Sequence, residues 1–195
     1  GKVTIEVSPA VAGEEFTLWL RVPAWCGEQF VPGELYSYAD NNQSKVVAKV
    51  NGKRVRTNVV DGYMPVQRAG NAGDKVEIEL PMPVRYSGAD ERVKADINRV
   101  CVTRGPLVYC AEQPDNEHGA SFYIVNDLKQ QGEVAKFDEG VMSGITNITL
   151  QASAMLDDGA EELNTVDAKL KLIPYYAWNN RGNNVTRNVW FASDL

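Results

Sequence analysis

Val100-Cys-Val-Thr-Arg-Gly-Pro-Leu-Val-Tyr-Cys-Ala-Glu112 is the strongest strand signal in the middle of the chain. β-Branched and aromatic residues dominate it, and Gly105-Pro106 cuts it in two. Pro106 has no N–H to give to a ladder and Gly105 has no Cβ. The pair predicts a bulge or a corner rather than a straight central strand. A strand that bends there can leave one sheet and enter another. The expectation is one β-sandwich unit before this stretch and another built from it onward.

The flanks agree with an all-β chain. Val3, Ile5 and Val7 alternate with Thr4, Glu6 and Ser8, the pattern of a half-buried strand. Glu15 to Val22 repeats it, with Phe16, Leu18, Leu20 and Val22 on one side and Trp19 on the polar side. Val46 to Val50 and Lys53 to Val59 flank Asn51-Gly52, the pair that suits a type I′ hairpin turn. Asp61-Gly62 and Asn71-Ala72-Gly73-Asp74 mark further turns. Glu28 to Ser44 reads as a long loop and Ser87 to Asp96 as a polar connection. Later strands are expected at Phe122 to Val125, Val134 to Phe137, Ile145 to Leu150, Leu170 to Ile173 and Val185 to Phe191. Residues 153 to 167 are acidic and read as a loop, with a short helix near Ala160 to Leu163. The fold class is therefore all-β, as two consecutive antiparallel, jelly-roll-like β-sandwich domains over 1–86 and 87–195. Their boundary falls within about 85–100.

Composition narrows the function. The 195 residues carry a formal net charge of -6, which argues against a nucleic-acid partner. The basic run Lys49 to Arg56 reads as a solvated hairpin. No apolar run approaches about 18 residues, so no membrane-spanning helix is expected. No signal-peptide pattern opens the chain, and Gly1 fits a cleavage scar, so the compartment stays open. Cys26, Cys101 and Cys110 form neither a disulfide framework nor a zinc knuckle, and His118 is the single histidine. They read as buried strand cysteines. Glu77 and Glu79 share the solvent face of a strand, so they are not a glycosidase pair. No catalytic residue and no metal ligand emerges.

Ile173-Pro-Tyr-Tyr-Ala-Trp-Asn-Asn-Arg-Gly182 is the densest functional candidate. Aromatic rings stack on the C–H faces of sugars, and amides and guanidinium groups bond hydroxyls. Tyr175, Tyr176, Trp178 and Asn179 are thus candidates for sugar binding. The plainer alternative is that the rings fill the core or a domain interface and the rest is a turn. Arg104, beside Gly105-Pro106, is a candidate for the same surface or for a buried ion pair. Trp19 and Trp25 are candidate interface residues. The sequons at Asn42, Asn147 and Asn184 permit glycosylation only in a host that performs it.

Six stretches, in order, resemble one family: Leu20-Arg-Val-Pro-Ala-Trp-Cys26, Val50-Asn-Gly-Lys53, Gly62 to Arg68, Gly73 to Arg85, Arg104 to Glu112 and Ile173 to Gly182. Together they resemble the C-terminal part of β-L-arabinofuranosidase-type enzymes, glycoside hydrolase family 127 and its relatives. The resemblance implies a large (α/α)-barrel catalytic domain ahead of two β-sandwiches. It implies a zinc-bound cysteine nucleophile, further cysteine and glutamate ligands and an acid/base glutamate, with an adjacent cysteine pair in the barrel. This chain has no Cys-Cys pair, so no catalytic residue carries over, and zinc is expected only in the absent domain. What remains is a non-catalytic accessory region supporting that domain in a hydrolase of arabinose-containing plant glycans. Implied partners are its own catalytic domain, plant glycan and a second copy in a homodimer; the implied compartment is periplasmic or secreted in bacteria. A carbohydrate-binding module and a structural sandwich of a cell-surface protein are the competing readings.

Overall fold

A computed structural model describes residues 1–42, 44–126, 128, 133–157, 159, 163–182 and 185–193. In chain order the first eight strands are β1 (Lys2–Val7), β2 (Glu15–Arg21), β3 (Tyr36–Tyr38), β4 (Val47–Val50), β5 (Lys53–Arg54), β6 (Tyr63–Ala69), β7 (Asp74–Glu79) and β8 (Val84–Ala89). The other eight are β9 (Arg99–Arg104), β10 (Leu107–Glu112), β11 (Tyr123–Ile124), β12 (Val134–Asp138), β13 (Ile145–Leu156), β14 (Asn164–Pro174), β15 (Arg187–Asn188) and β16 (Trp190–Ala192). Helical structure among the described residues is confined to three-residue 3-10 turns, and none is long and apolar enough to cross a membrane. The fold is all-β, as the alternating sequence pattern requires.

The first compact unit comprises Gly1–Val31 and Gln43–Pro83. Its layers are a four-stranded antiparallel sheet, β1-β7-β4-β5, and the pair β2-β6. Leu20, Met64 and Val66 from the pair meet Ala48, Val76 and Ile78 from the sheet in one core. Asn51-Gly52 and Asp61-Gly62 all have positive φ, the geometry that Asn, Asp and Gly tolerate best. Buried Asp74 fastens two turns at once. It accepts the Asn51 side-chain amide at 2.7 Å and the Asn71 backbone N–H at 2.9 Å, and pairs with Arg68 at 2.9 Å. The strand expected over Lys53 to Val59 is cut short. Val55 still donates to the Ala48 carbonyl, and beyond it the chain leaves the ladder.

The second unit comprises Pro32–Asn42 and Val84–Leu195. Its pairings run β10-β14-β13-β11-β16-β9, and a β9–β10 pairing returns the path to its start. That ring encloses one core, with Tyr109, Tyr123, Ile148, Leu150, Leu172 and Phe191 buried in it. β8 and then β3 continue the sheet outward from β9. All pairings are antiparallel except the single β11–β16 bridge.

Three local expectations are corrected here. Gly105-Pro106 forms a two-residue hairpin turn, with Leu107 opposite Arg104, rather than a bulge or corner. Gly105 supplies φ +57° at the first turn position, and proline's fixed negative φ suits the second. Most of the described residues of the acidic loop expected over 153–167 are instead strand. β13 and β14 pair from Ile148–Leu172 to Leu156–Asn164. Small inward residues, Ala152 and Ala154, keep that stretch against the core while its polar residues face out. Of the short helix expected near Ala160 to Leu163, residues 160–162 lie outside the described residues, and Leu163 is exposed and non-helical just before β14. Finally, the Glu28 to Ser44 loop contains a strand, β3, paired antiparallel with β8.

A buried ion pair holds β3 in place. The Arg85 Nε donates to Asp40 Oδ1 at 2.6 Å, and the backbone N–H of Tyr86 donates to Asp40 Oδ2 at 2.5 Å. The Tyr38 ring centre lies 3.6 Å from the Arg85 guanidinium carbon. Both charged side chains are withdrawn from water. Asp40→Ala is expected to lower the unfolding free energy by about 3–5 kcal/mol, the range for stripping one partner from a buried pair. Arg92→Ala, which removes an exposed pair with Asp90, is expected to change it by less than about 1 kcal/mol. Urea denaturation of both variants tests the contrast, and equal losses would show that the Asp40 pair is not the fastening.

Candidate functional site

The aromatic stretch begins where β14 stops. Pro174 closes the strand, Tyr175–Ala177 makes a 3-10 turn, and Asn179 takes φ +63°. Ala177 is buried with Cys110, Ile145 and Ile173 in a second small core, which anchors the turn from below. The Tyr175 and Trp178 rings stack at 6.0 Å between centroids and 25° between planes. Arg187 lies across them, 4.1 Å from the Trp178 ring centre and 5.6 Å from that of Tyr175. The Trp178 indole N–H donates to the Val185 carbonyl at 3.2 Å. The candidate rings therefore stack on each other and on an arginine of the same chain. Tyr176, by contrast, is 61% exposed.

Beneath the turn is a charged network. Glu112, 1% exposed, accepts the Asn179 backbone N–H at 2.8 Å and a hydrogen bond from the Arg181 guanidinium. Arg181 also pairs with Asp115, which receives Lys171 at 3.3 Å. Asn116 donates to the carbonyls of Glu112 and Lys171, at 2.8 and 3.0 Å, and accepts the Lys171 N–H. The Asn180 amide caps the carbonyls of Tyr176, Ala177 and Trp178. The Arg181 guanidinium and the Asn180 amide thus close the turn itself.

The remaining candidates are spread out. Arg104 makes no ion pair among the described residues and lies beside the Tyr109 phenol. Burial pushes that phenol up, and Arg104 partly offsets the shift. Trp19 is in the first unit, on the outer face of β2 opposite Pro65, and 58% exposed. Near it Arg21 stacks over Tyr63 at 5.5 Å. Trp25 is half-buried in the Ala24–Cys26 turn of the same unit. Sequence reasoning missed Arg187 and the buried Glu112. Arg187 gave no signal, being one basic residue in a strand. Glu112 ends the apolar run of Val100 to Glu112, where a carboxylate needs a partner.

Residues 1–82 match the β-L-arabinofuranosidase GH127 middle domain, and residues 84–192 match the glycoside hydrolase family 127 C-terminal domain. The chain belongs to glycoside hydrolase family 127. A non-reducing end β-L-arabinofuranosidase of Bifidobacterium longum subsp. longum is 30% identical over 190 residues, an alignment covering 91% of this GH127 chain and 26% of that protein. A solved GH127 β-arabinofuranosidase superposes with a TM-score of 0.87 at 39% identity, over 100% of this chain and 30% of its own. A GH127 β-L-arabinofuranosidase from Geobacillus stearothermophilus T6 gives 0.82 at 29% identity, over 99% and 28%. The chain thus spans between a quarter and a third of the length of these relatives.

The cysteines of this GH127 chain do not fit the zinc–thiolate chemistry that the sequence resemblance implies. Cys101 and Cys110 are buried, and burial pushes each thiol up to about 12. The Cys26 thiol is also raised by burial. A thiol is a ligand and nucleophile only as thiolate. No group of three or more His, Cys, Asp or Glu residues able to hold a metal occurs among the described residues.

Two predictions follow the geometry. In native protein at neutral pH, a disulfide reagent such as DTNB is expected to label Cys26 at most, with Cys101 and Cys110 reacting after unfolding. Rapid labelling of all three would contradict the burial. For Asp115, burial works upward, but the hydrogen bond and charge of Arg181, with Lys171 behind it, outweigh that and hold the carboxyl below the usual range. A carboxyl lowered by folding stabilises above its unfolded value of about 3.9, and that contribution is lost as the pH falls through the folded value. Denaturation midpoints should therefore fall on acidification below about pH 4. Asp115→Asn should flatten that fall, and an unchanged acid limb in this variant would exclude Asp115 as its source.

Proposed function

We propose that this chain is the non-catalytic accessory region of a β-L-arabinofuranosidase-type glycoside hydrolase that degrades arabinose-containing plant glycans. A preceding (α/α)-barrel would supply the zinc, the nucleophile and the acid/base. One observation carries the reading: the chain matches the middle and C-terminal domains in order, yet spans only 26% of the curated relative. The chain's role is to support the barrel, with exposed Trp19 and Tyr176 as the side chains best suited to contacts outside the two units. A periplasmic or secreted bacterial location belongs to the same reading.

The test compares this 195-residue chain with the parent-length protein on p-nitrophenyl β-L-arabinofuranoside. Turnover is expected from the parent alone. Turnover by the purified chain, surviving removal of trace contaminants, would overturn the assignment. An inactive parent would instead remove the arabinofuranosidase class.

A further inference from the structure

The first unit contains a hollow that the proposed accessory role does not use. It is about 610 Å³ in volume and adjoins a second of about 580 Å³, and both are lined by Val46, Thr57, Asn58 and Met64. The floor is core: Met64 and Ala48 are buried. Arg54 and Arg56 line the first hollow, and Lys45 lines the second together with one acid, Glu28. The groove exists because the chain leaves the β4–β5 ladder after Val55, so residues 55–59 form a wall instead of an edge strand.

Its charge is opposite to that of the chain. Over residues 45–56 there are five cations and no acid, in a protein of net charge -6. Lys49 pairs with Glu79 at 2.5 Å. Lys45, Lys53, Arg54 and Arg56 make no ion pair among the described residues. A surface hairpin in an acidic protein ordinarily mixes signs, and surplus cations beside a groove attract an anionic ligand. Apolar floor, hydroxyl and amide at the wall and guanidinium groups at the rim match a ligand with C–H faces, hydroxyls and carboxylates.

We infer that this groove binds a glycan segment carrying uronic-acid carboxylates, which Arg54 and Arg56 recognise. The choice of a saccharide over another polyanion rests on the reading of the parent as a plant-glycan hydrolase. The groove would hold an acidic stretch of a mixed polysaccharide while neutral arabinose residues are processed elsewhere in the parent.

Affinity electrophoresis of the 195-residue chain tests this, with polygalacturonate, neutral arabinan, dextran sulfate or polyglutamate in the gel. Polygalacturonate is expected to retard the chain more than any of the other three. Arg54→Gln/Arg56→Gln should weaken that retention roughly tenfold, the size expected for two partly exposed charge contacts. Lys94→Gln, an exposed cation of the second unit, should leave it unchanged, and circular dichroism checks that both variants are folded. Four results would overturn the inference: no retention by polygalacturonate in about 0.05 M salt, equal loss in Lys94→Gln, dextran sulfate binding as tightly, or polyglutamate binding as tightly or more so. The third means a general polyanion patch, and the fourth an acidic peptide partner. None of them bears on arabinofuranoside turnover by the parent, so the two readings fail separately.

Discussion

A chain with almost no helix must find a partner for each buried strand N–H and C=O in another strand. In the second unit this requirement is met by a ladder that returns on itself. β10 opens the ring and β9 closes it, and the turn between them is Gly105-Pro106. Closure removes edges that would otherwise present unpaired backbone. It also explains why the stretch from Val100 to Glu112 is so apolar. Val100, Val102, Tyr109 and Ala111 face the enclosed core, while Cys110 packs into a second cluster on the other side. Cys110 follows from this position: it is a small residue packed on the far side of the strand from the enclosed core.

Three buried carboxylates do the fastening that ladders cannot. Asp74 joins two turns of the first unit, Asp40 binds β8 from the side, and Glu112 holds the Trp178–Asn179 turn. Each receives a backbone N–H together with an arginine: Arg68, Arg85 and Arg181 respectively. A carboxylate can take several donors at once, and a guanidinium supplies charge with directional hydrogen bonds. Irregular segments that would wander on the surface are thereby fixed with few residues. The aromatic turn is the clearest product. Its backbone is held by Glu112, 67 residues away from Asn179 in sequence.

Much of the fold was legible because its signals are local. Asn51-Gly52, Asp61-Gly62 and the alternation of Glu15 to Val22 each declare a turn or a strand within a few residues. The rest depends on distant partners. Polar residues hid the length of β13 and β14, since each strand is stabilised by the other rather than by its own composition. Gly105-Pro106 announced a break in the strand, but bulge, corner and hairpin differ only in what the next residues pair with. The candidate aromatic residues were found from composition, while their use was not. Tyr175 and Trp178 have the same composition whether they stack on a sugar or beneath Arg187, and Arg187 is separated from them by a turn.

The detour of Pro32–Asn42 has a consequence for inheritance. The two family domains meet between residues 82 and 84, but the folded second unit takes its outermost strand and the counter-ion of Arg85 from within the span of the first. A recombination event at that junction would separate a lock from its key. The incoming partner would need its own strand and its own acid at the matching places. Such modules are expected to travel as a pair, and a gene-fusion map drawn from sequence boundaries alone would show a seam where the protein has a stitch.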